Sequence, residues 1–422
     1  MAHTGTHDTG PSLRSFLRLG FFLDGEPTVK IDLSRVDPSR YVGMDDADLI
    51  REHERLLRQA VMRRFKPDRQ HLVPLSGGLD SRAILAVLLE ATDAANLHTC
   101  TFGTPGSLDY DIGCQLARQL GTVHEALPLS ATRYDRGKLL EASRRVRHQT
   151  VLFHHPPLDV WDDLYGDHLV WSGFLGDKLA ESPRVELSDA QARATFLAIN
   201  TYVRSTELTD GNDAALHRIL QRDETRSRLW LEEELNVRFR QQRFIAPHVL
   251  ALGFDYATPL ADADLVDFML SVPTAMRRGG ALYRRFLVAS FPELFQIRTK
   301  ANEGLPLTAG RAHVLARRAG RKVVRSFPAL KRRFRDPMVN FLPWGDAFRE
   351  RSDLRSLATD CLEALSERGL VDSDSIRGLL KRRLEGEADH SDALIVLASL
   401  ELHLEAGLES VSTSESNAEP GA

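Results

Sequence analysis

Leu72-Val73-Pro74-Leu75-Ser76-Gly77-Gly78-Leu79-Asp80-Ser81 decides how the rest of this 422-residue chain is read. Four apolar or strand-compatible residues, Leu72 to Leu75, run into a turn built on two glycines, and Ser81 to Glu90 then repeats apolar residues at helical spacing. A strand, a glycine loop and a helix in that order form an anion cradle. Gly77 and Gly78 let the backbone approach an anion closely, and the N–H groups and dipole at the start of the helix attract phosphate. Ser76 and Ser81 add hydroxyl groups. Asp80 beside a phosphate requires a cation between the two anions, and oxygen-seeking Mg²⁺ is the expected mediator. The plain alternative is a serine- and glycine-rich turn capping a helix. No lysine lies between Ser76 and Glu90, so the loop is not the Gly-Lys-Ser/Thr type that serves γ-phosphoryl transfer.

Outward from this loop the pattern alternates. Leu97 to Phe102 reads as a strand, Asp109 to Leu120 as a helix, Thr122 to Leu127 as a strand, Arg136 to Val146 as a helix and His168 to Trp171 as a strand. That order predicts an α/β fold, a doubly wound parallel sheet followed by a mostly helical C-terminal region. Before it, Asp45 to Phe65 carries the spacing of an amphipathic helix, and Leu17 to Ile31 reads as short β or extended structure. Beyond Pro183 strand signals fade. Residues 1 to about 12 and 409–422 are polar and are expected to be mobile.

Composition narrows the class. The net charge is −4, without the basic excess of a general nucleic-acid binder, so nucleic acid is not an expected partner. Cys100, Cys114 and Cys361 show no metal or redox spacing, and a reduced, cytoplasmic setting is expected. No apolar run is long enough to span a bilayer. His148, His154 and His155 lack accompanying ligands and read as pocket or loop histidines. Arg311 to Arg335 is basic with no acidic residue, and reads as a solvated helical face or an anion-meeting surface.

Several separated segments resemble the synthetase domain of the asparagine synthetase family, whose relatives include β-lactam synthetases and lasso-peptide cyclases. Ser76 to Ser81 matches the family's ATP-pyrophosphatase loop, the PP-loop of the adenine nucleotide α-hydrolase-like fold. Thr101-Phe102-Gly103 resembles the end of its second strand, and Ser172-Gly173-Phe174-Leu175-Gly176-Asp177 its second phosphate-side loop. Asp255-Tyr256-Ala257-Thr258-Pro259-Leu260-Ala261-Asp262 resembles a Glu-x-Arg-x-Pro-Phe-x-Asp signature, and Arg298-Thr299-Lys300 its Arg-x-Lys. The resemblance implies an ATP-dependent, amide-forming ligase that adenylates a carboxylate and passes it to an amine or ammonia. Leu75, Ser76, Gly77, Gly78, Leu79, Asp80, Ser81, Thr101, Phe102, Ser172, Gly173 and Asp177 would hold ATP. Asp80 and Asp177 would hold Mg²⁺, and Lys300 would stabilise charge growing at the α-phosphate.

The resemblance also sets expectations about organisation and nitrogen source. Residues 1–44 look like the tail of a glutaminase domain, 45–345 form the ATP-pyrophosphatase domain, 346–408 a helical region and 409–422 a tail. With Ala2 where glutamine-dependent members have a cysteine nucleophile, nitrogen is expected from ammonia, a substrate amine, or a separate glutaminase or biosynthetic partner. Phe174 stands where the family has Glu or Tyr, and Lys178 where it has Glu. Phe174 is no base. Three readings stay open: Asp255 serves as base, the amine arrives neutral, or condensation is lost and the chain is an ATP-binding partner in a biosynthetic assembly. A tRNA-modifying ATP pyrophosphatase is a further alternative, disfavoured by the absence of a sulfur-handling cysteine pair.

Overall fold

The computed structural model describes residues 11–203, 208, 213–222, 227–327, 335–384 and 390–408. Its centre is a five-stranded sheet with order β3-β2-β1-β4-β5. The strands are β1 (His71–Pro74), β2 (Leu97–Gly103), β3 (Val123–Pro128), β4 (Leu169–Trp171) and β5 (Asp255–Ala257). All four pairings are parallel, with His71 opposite both Leu97 and Leu169, and Leu169 opposite Asp255. Chain order reverses direction at β1, so the crevice for a ligand lies at the carboxyl ends of β1 and β4.

Side-chain alternation explains why both faces of the sheet are covered. Val73, Leu75, Leu169 and Trp171 point into one core with α2 (Asp46–Met62) and α3 (Asp80–Ala91), represented by Leu49, Leu57, Ile84 and Leu88. Leu72, Cys100 and Val170, one residue out of phase, pack on Trp161 and Tyr165 of α6 (Leu158–Tyr165). Strands buried on both faces are what a doubly wound parallel sheet demands. The helices α4 (Leu108–Leu120) and α5 (Arg136–Arg145) follow β2 and β3.

A further core joins the two ends of the described chain. The helix Ser391–Glu405 is buried from Ala393 to His403 and packs with α1 (Pro11–Leu19), α5 and the helix Ser352–Arg368. Its polar side chains are satisfied: His403 Nδ1 meets Ser143 Oγ at 2.7 Å, and Glu401 accepts from Arg368 Nε at 2.7 Å. Ser399 Oγ accepts from the Leu152 N–H at 2.9 Å, which anchors the segment leading to His154.

Two expectations are corrected. Leu17 to Leu19 belongs to α1, because Leu13, Phe16 and Leu17 recur at helical spacing and are all buried. The rest of the expected extended stretch contributes a single bridge, Phe21 to Thr150. The strand β5 lies in the region where strand signals fade; three residues are too short to display an alternation. Of the ends read as mobile, 1 to about 12 and 409–422, residues 1–10 and 409–422 lie outside the described residues, and Pro11 and Ser12 begin α1. Among the described residues no helix is long and apolar enough to cross a membrane.

Candidate active site

The first loop is held by backbone contacts that only glycine permits. A Cβ on Gly77 would lie 2.7 Å from the Leu108 carbonyl oxygen and 3.0 Å from Lys300 Cβ. The Gly77 carbonyl accepts the Lys300 N–H at 2.7 Å. Gly78 donates its N–H to Ser76 Oγ at 3.1 Å. No side chain caps the start of α3, which leaves its first-turn N–H groups directed at the crevice for an anion.

The second loop, from Ser172 to Asp177, closes on the same point. Ser172 continues the sheet through its N–H to the Ala257 carbonyl at 2.9 Å, and Phe174 donates its N–H to Ser172 Oγ at 3.2 Å. Leu175 adopts a left-handed φ of 80° at the entry to α7 (Gly176–Ala180), a conformation that costs a non-glycine residue about 1 kcal/mol or more. The turn brings Gly173 and Gly176 onto Asp80: added Cβ atoms would stand 3.0 Å from Asp80 Cβ and 2.5 Å from Asp80 Cγ. The two loops therefore meet at one carboxylate.

Asp80 is held under electrostatic tension. Burial, and then the negative charge of Asp177, raise its pKa to about 7, opposed by the Tyr283 hydroxyl and the Asp177 backbone N–H. Tyr283 donates to Asp80 Oδ1 at 2.9 Å. Two mutually repelling oxygen donors beside a phosphate cradle suit a hard divalent cation, whose remaining ligands would come from phosphate and water. Among the described residues no group of three or more His, Cys, Asp or Glu forms a metal cage.

Lys300 stands behind the first loop, its Cβ 3.0 Å from where a Cβ on Gly77 would lie, and it does not line the crevice. Its Nζ pairs with Asp109 Oδ2 of α4. The segment carrying it is fixed by Arg82, the residue directly after the loop, which is fully buried. Arg82 donates to the carbonyls of Leu294, Ile297 and Arg298 at 3.0, 3.2 and 2.8 Å. Burial lowers its guanidinium to about 10, so it remains charged at neutral pH. Replacing Arg82 by Met is expected to cost about 2–4 kcal/mol in chemical denaturation, because three carbonyls lose charge-assisted partners. An unchanged denaturation midpoint would contradict this tie between α3 and the Lys300 segment.

A cavity of 340 Å³ opens between the loops and a wall contributed by α6, by the helical stretch Asn236–Ile245 and by the strap through Phe341. Of the expected site residues, Leu75, Ser76, Gly78, Leu79, Asp80, Ser81, Phe102, Ser172, Gly173 and Asp177 line it. Gly77 lies behind the loop against Lys300, and Thr101 is buried with its hydroxyl donated to the Leu75 carbonyl at 3.1 Å. Phe174, buried, lines the cavity as well.

Asp255 is not brought to this site. It sits at the amino end of β5, opposite Leu169, and pairs with Arg69 at 3.3 Å and Lys66 at 3.6 Å before β1. In a parallel sheet that is the edge away from the crevice. Part of the basic stretch is ion-paired where described: Arg318 and Arg321 bind Glu303, and Arg325 faces Asp336 at 3.5 Å. Residues 328–334 of that stretch lie outside the described residues.

The sequence reading did not find Arg82, Tyr283, Trp161, Gln241, Asn340 or Phe341. The signals that touched this wall were Phe174 and the histidine run containing His154, both of which line the cavity. Asn340 holds the strap in place, donating to the Phe102 carbonyl at 3.0 Å and accepting from Ser107 Oγ at 2.8 Å. Gly103 makes room for it, since a Cβ there would stand 2.0 Å from Asn340 Oδ1.

The site is thus a glycine loop at the switch point of a parallel α/β sheet, met by a second loop carrying Asp177. Residues 52–137, from α2 into the start of α5 and including the first loop, match the family model described as asparagine synthase. The chain is also 32% identical over 108 residues to a Methanocaldococcus jannaschii protein named "Putative asparagine synthetase (glutamine-hydrolyzing) 2". That similarity covers 24% of this chain and 21% of the relative.

Proposed function

We propose that the protein is an ATP-dependent carbon–nitrogen ligase that activates a carboxylate as its adenylate and transfers the acyl group to an amine or ammonia. A carboxylate oxygen attacks the α-phosphorus, the bond to the bridging oxygen breaks, and pyrophosphate leaves. A neutral amine then attacks the acyl carbon, the carbon–oxygen bond to AMP breaks, and the surplus proton on nitrogen leaves to the departing AMP phosphate or to water as the amide forms. The observation that carries this reading is the convergence of both loops on Asp80, with Lys300 locked by its backbone to Gly77.

Within this reading the α3 N-terminus and the Ser76 to Ser81 loop bind the departing pyrophosphate. Asp80 and Asp177 would hold Mg²⁺, which neutralises phosphate charge when bound. Lys300 supplies positive charge as the α-phosphate oxygens gain negative charge in the transition state. Phe174 offers no proton acceptor, and the place of Asp255 at the far edge of the sheet gives no support to it as the base. An amine arriving neutral is the reading of the second step that best accords with these positions.

The test is exchange of labelled pyrophosphate into ATP, with Mg²⁺ and a panel of carboxylic acids but no amine. Exchange that depends on an added acid is expected. ADP and inorganic phosphate as the products would overturn the proposal, and tight ATP binding with no exchange for any acid would favour the ATP-binding partner instead.

A further inference from the structure

Away from the cavity, one helix of the molecule presents its faces the wrong way round. The helix Arg311–Ser326 contains no acidic residue, and Val314 is the one residue of it that is buried. Helical periodicity separates its side chains into two arcs. Leu315, Ala319 and Val323 follow one another at four-residue spacing, Ala312 and Ala316 fill the gaps between them, and Phe327 continues the stripe past the last turn. Arg317, Arg318, Arg321 and Arg325 lie on the opposite arc, together with Val314.

An amphipathic helix on a globular protein turns its apolar arc to the core, and this one turns its arginines there instead. Arg318 and Arg321 bind Glu303, Arg325 faces Asp336 at 3.5 Å, and Arg317 Nη1 reaches the Glu303 carbonyl at 3.5 Å. Glu303 is buried and donates its N–H to the Lys300 carbonyl at 3.0 Å, so the helix is moored to the turn that carries Lys300. The apolar arc is left facing outward: Leu315, Val323 and Phe327 are 62%, 51% and 56% exposed, and Ala312, Ala316 and Ala319 are exposed with them. Arg311 and Lys322 border this stripe on one side and His313 on the other, all three exposed. Neither Arg311 nor Lys322 has an ion pair among the described residues, and an outward apolar stripe rimmed by free cations is a surface made to be covered.

We propose that this face lies on an anionic lipid surface, with Leu315, Val323 and Phe327 entering the boundary between headgroups and acyl chains and Arg311 and Lys322 beside the lipid phosphates. Charge complementarity selects this occupant: the rim is cationic, and long basic side chains reach from an inserted apolar stripe back to the headgroups. A second copy of the chain would bring the same cations against them, with no carboxylate in either helix to offset the repulsion. A nucleic acid would meet alanines and valine while most of the guanidinium groups point the other way. A protein partner is anchored by large side chains at the centre of its contact, whereas the centre here is Ala316, Ala319 and Gly320, with the three large residues spread over about 18 Å of helix. Such a helix lies on a membrane without crossing it. Insertion of three side chains is weak alone, and the cations add attraction only where headgroups are negative.

The test is flotation of the full chain with vesicles of phosphatidylcholine alone and of phosphatidylcholine with about one third phosphatidylglycerol. Partition onto the anionic vesicles is expected to be at least about tenfold stronger, and to fall as salt rises from about 0.1 to about 0.5 M. The double variant Leu315→Ser, Val323→Ser is expected to weaken that partition about tenfold with an unchanged denaturation midpoint, since both residues face solvent. The double variant Arg311→Gln, Lys322→Gln should weaken it on anionic vesicles and leave the slight binding to neutral ones as it was. Equal partition onto both vesicles, no partition at low salt, or full binding by the serine variant overturns the inference. A concentration-dependent dimer that the serine variant abolishes, without vesicle binding, overturns it in favour of a second copy. Tighter binding to a single-stranded RNA than to the anionic vesicles overturns it in favour of nucleic acid.

Discussion

Replacing Asp80 by Asn is expected to abolish turnover while making the protein more stable near neutral pH. Asp80 has a folded pKa of about 7 against an ordinary value of 3.8, raised first by burial and then by Asp177. A carboxyl whose folded value is raised binds more protons folded than unfolded, so stability falls as pH rises between these two values. The cost is absent below the unfolded value and complete above the folded one. Asn carries no charge to bury, so the variant should lack that decline. Unfolding measured near pH 8 should favour the variant by about 1–3 kcal/mol, and near pH 4 the two should coincide. Acid-dependent pyrophosphate formation should fall by about a thousandfold or more as the meeting point of both loops loses its charge. A variant that stays within tenfold of the parent in turnover would remove Asp80 from the machinery.

Replacing Lys300 by Met separates chemistry from binding. The contact that seats this residue is its backbone N–H on the Gly77 carbonyl, which survives the change. What is lost is the ammonium, now paired with Asp109. A preorganised cation acting on charge that develops in the transition state is worth about 3–4 kcal/mol, so kcat should drop by about two to three orders of magnitude. ATP affinity should change much less, because the loop N–H groups stay in place. An equal loss in binding and turnover would instead mark Lys300 as a ground-state phosphate ligand.

The elements that were legible in the sequence are those whose information is local. Leu72 to Glu90 announces a strand, a loop and a helix because apolar period, glycine pair and following helical spacing sit within twenty residues, and the structure has β1, loop and α3 there. The second loop entered only through the family resemblance, and the structure packs its Gly173 and Gly176 against Asp80. Contacts made across long stretches of chain left no such trace. Tyr283 reaches Asp80 from 203 residues away, and Arg82 reaches the Leu294 to Arg298 carbonyls from more than 200.

Asp255 shows the opposite error. A short match to a signature carried a chemical role to a residue whose register, opposite Leu169 rather than Trp171, places it two residues short of the crevice. Strand polarity decides which end of a β-strand can serve a site, and a three-residue strand without visible alternation conceals it. The far wall was illegible for a related reason. Its residues come from α6, the Asn236–Ile245 helix and the Phe341 strap, and only folding makes Trp161 and Gln241 neighbours of one cavity.

The most direct test of the central claim follows the oxygen atoms. When a carboxylic acid labelled with heavy oxygen in its carboxyl group is incubated with ATP, Mg²⁺ and the amine acceptor, attack at the α-phosphorus moves one labelled oxygen into AMP, with unlabelled pyrophosphate as co-product. Mass spectrometry of the recovered AMP should show that single label for the acid that supports exchange. Unlabelled AMP, or label recovered in inorganic phosphate beside ADP, would contradict carboxylate adenylation.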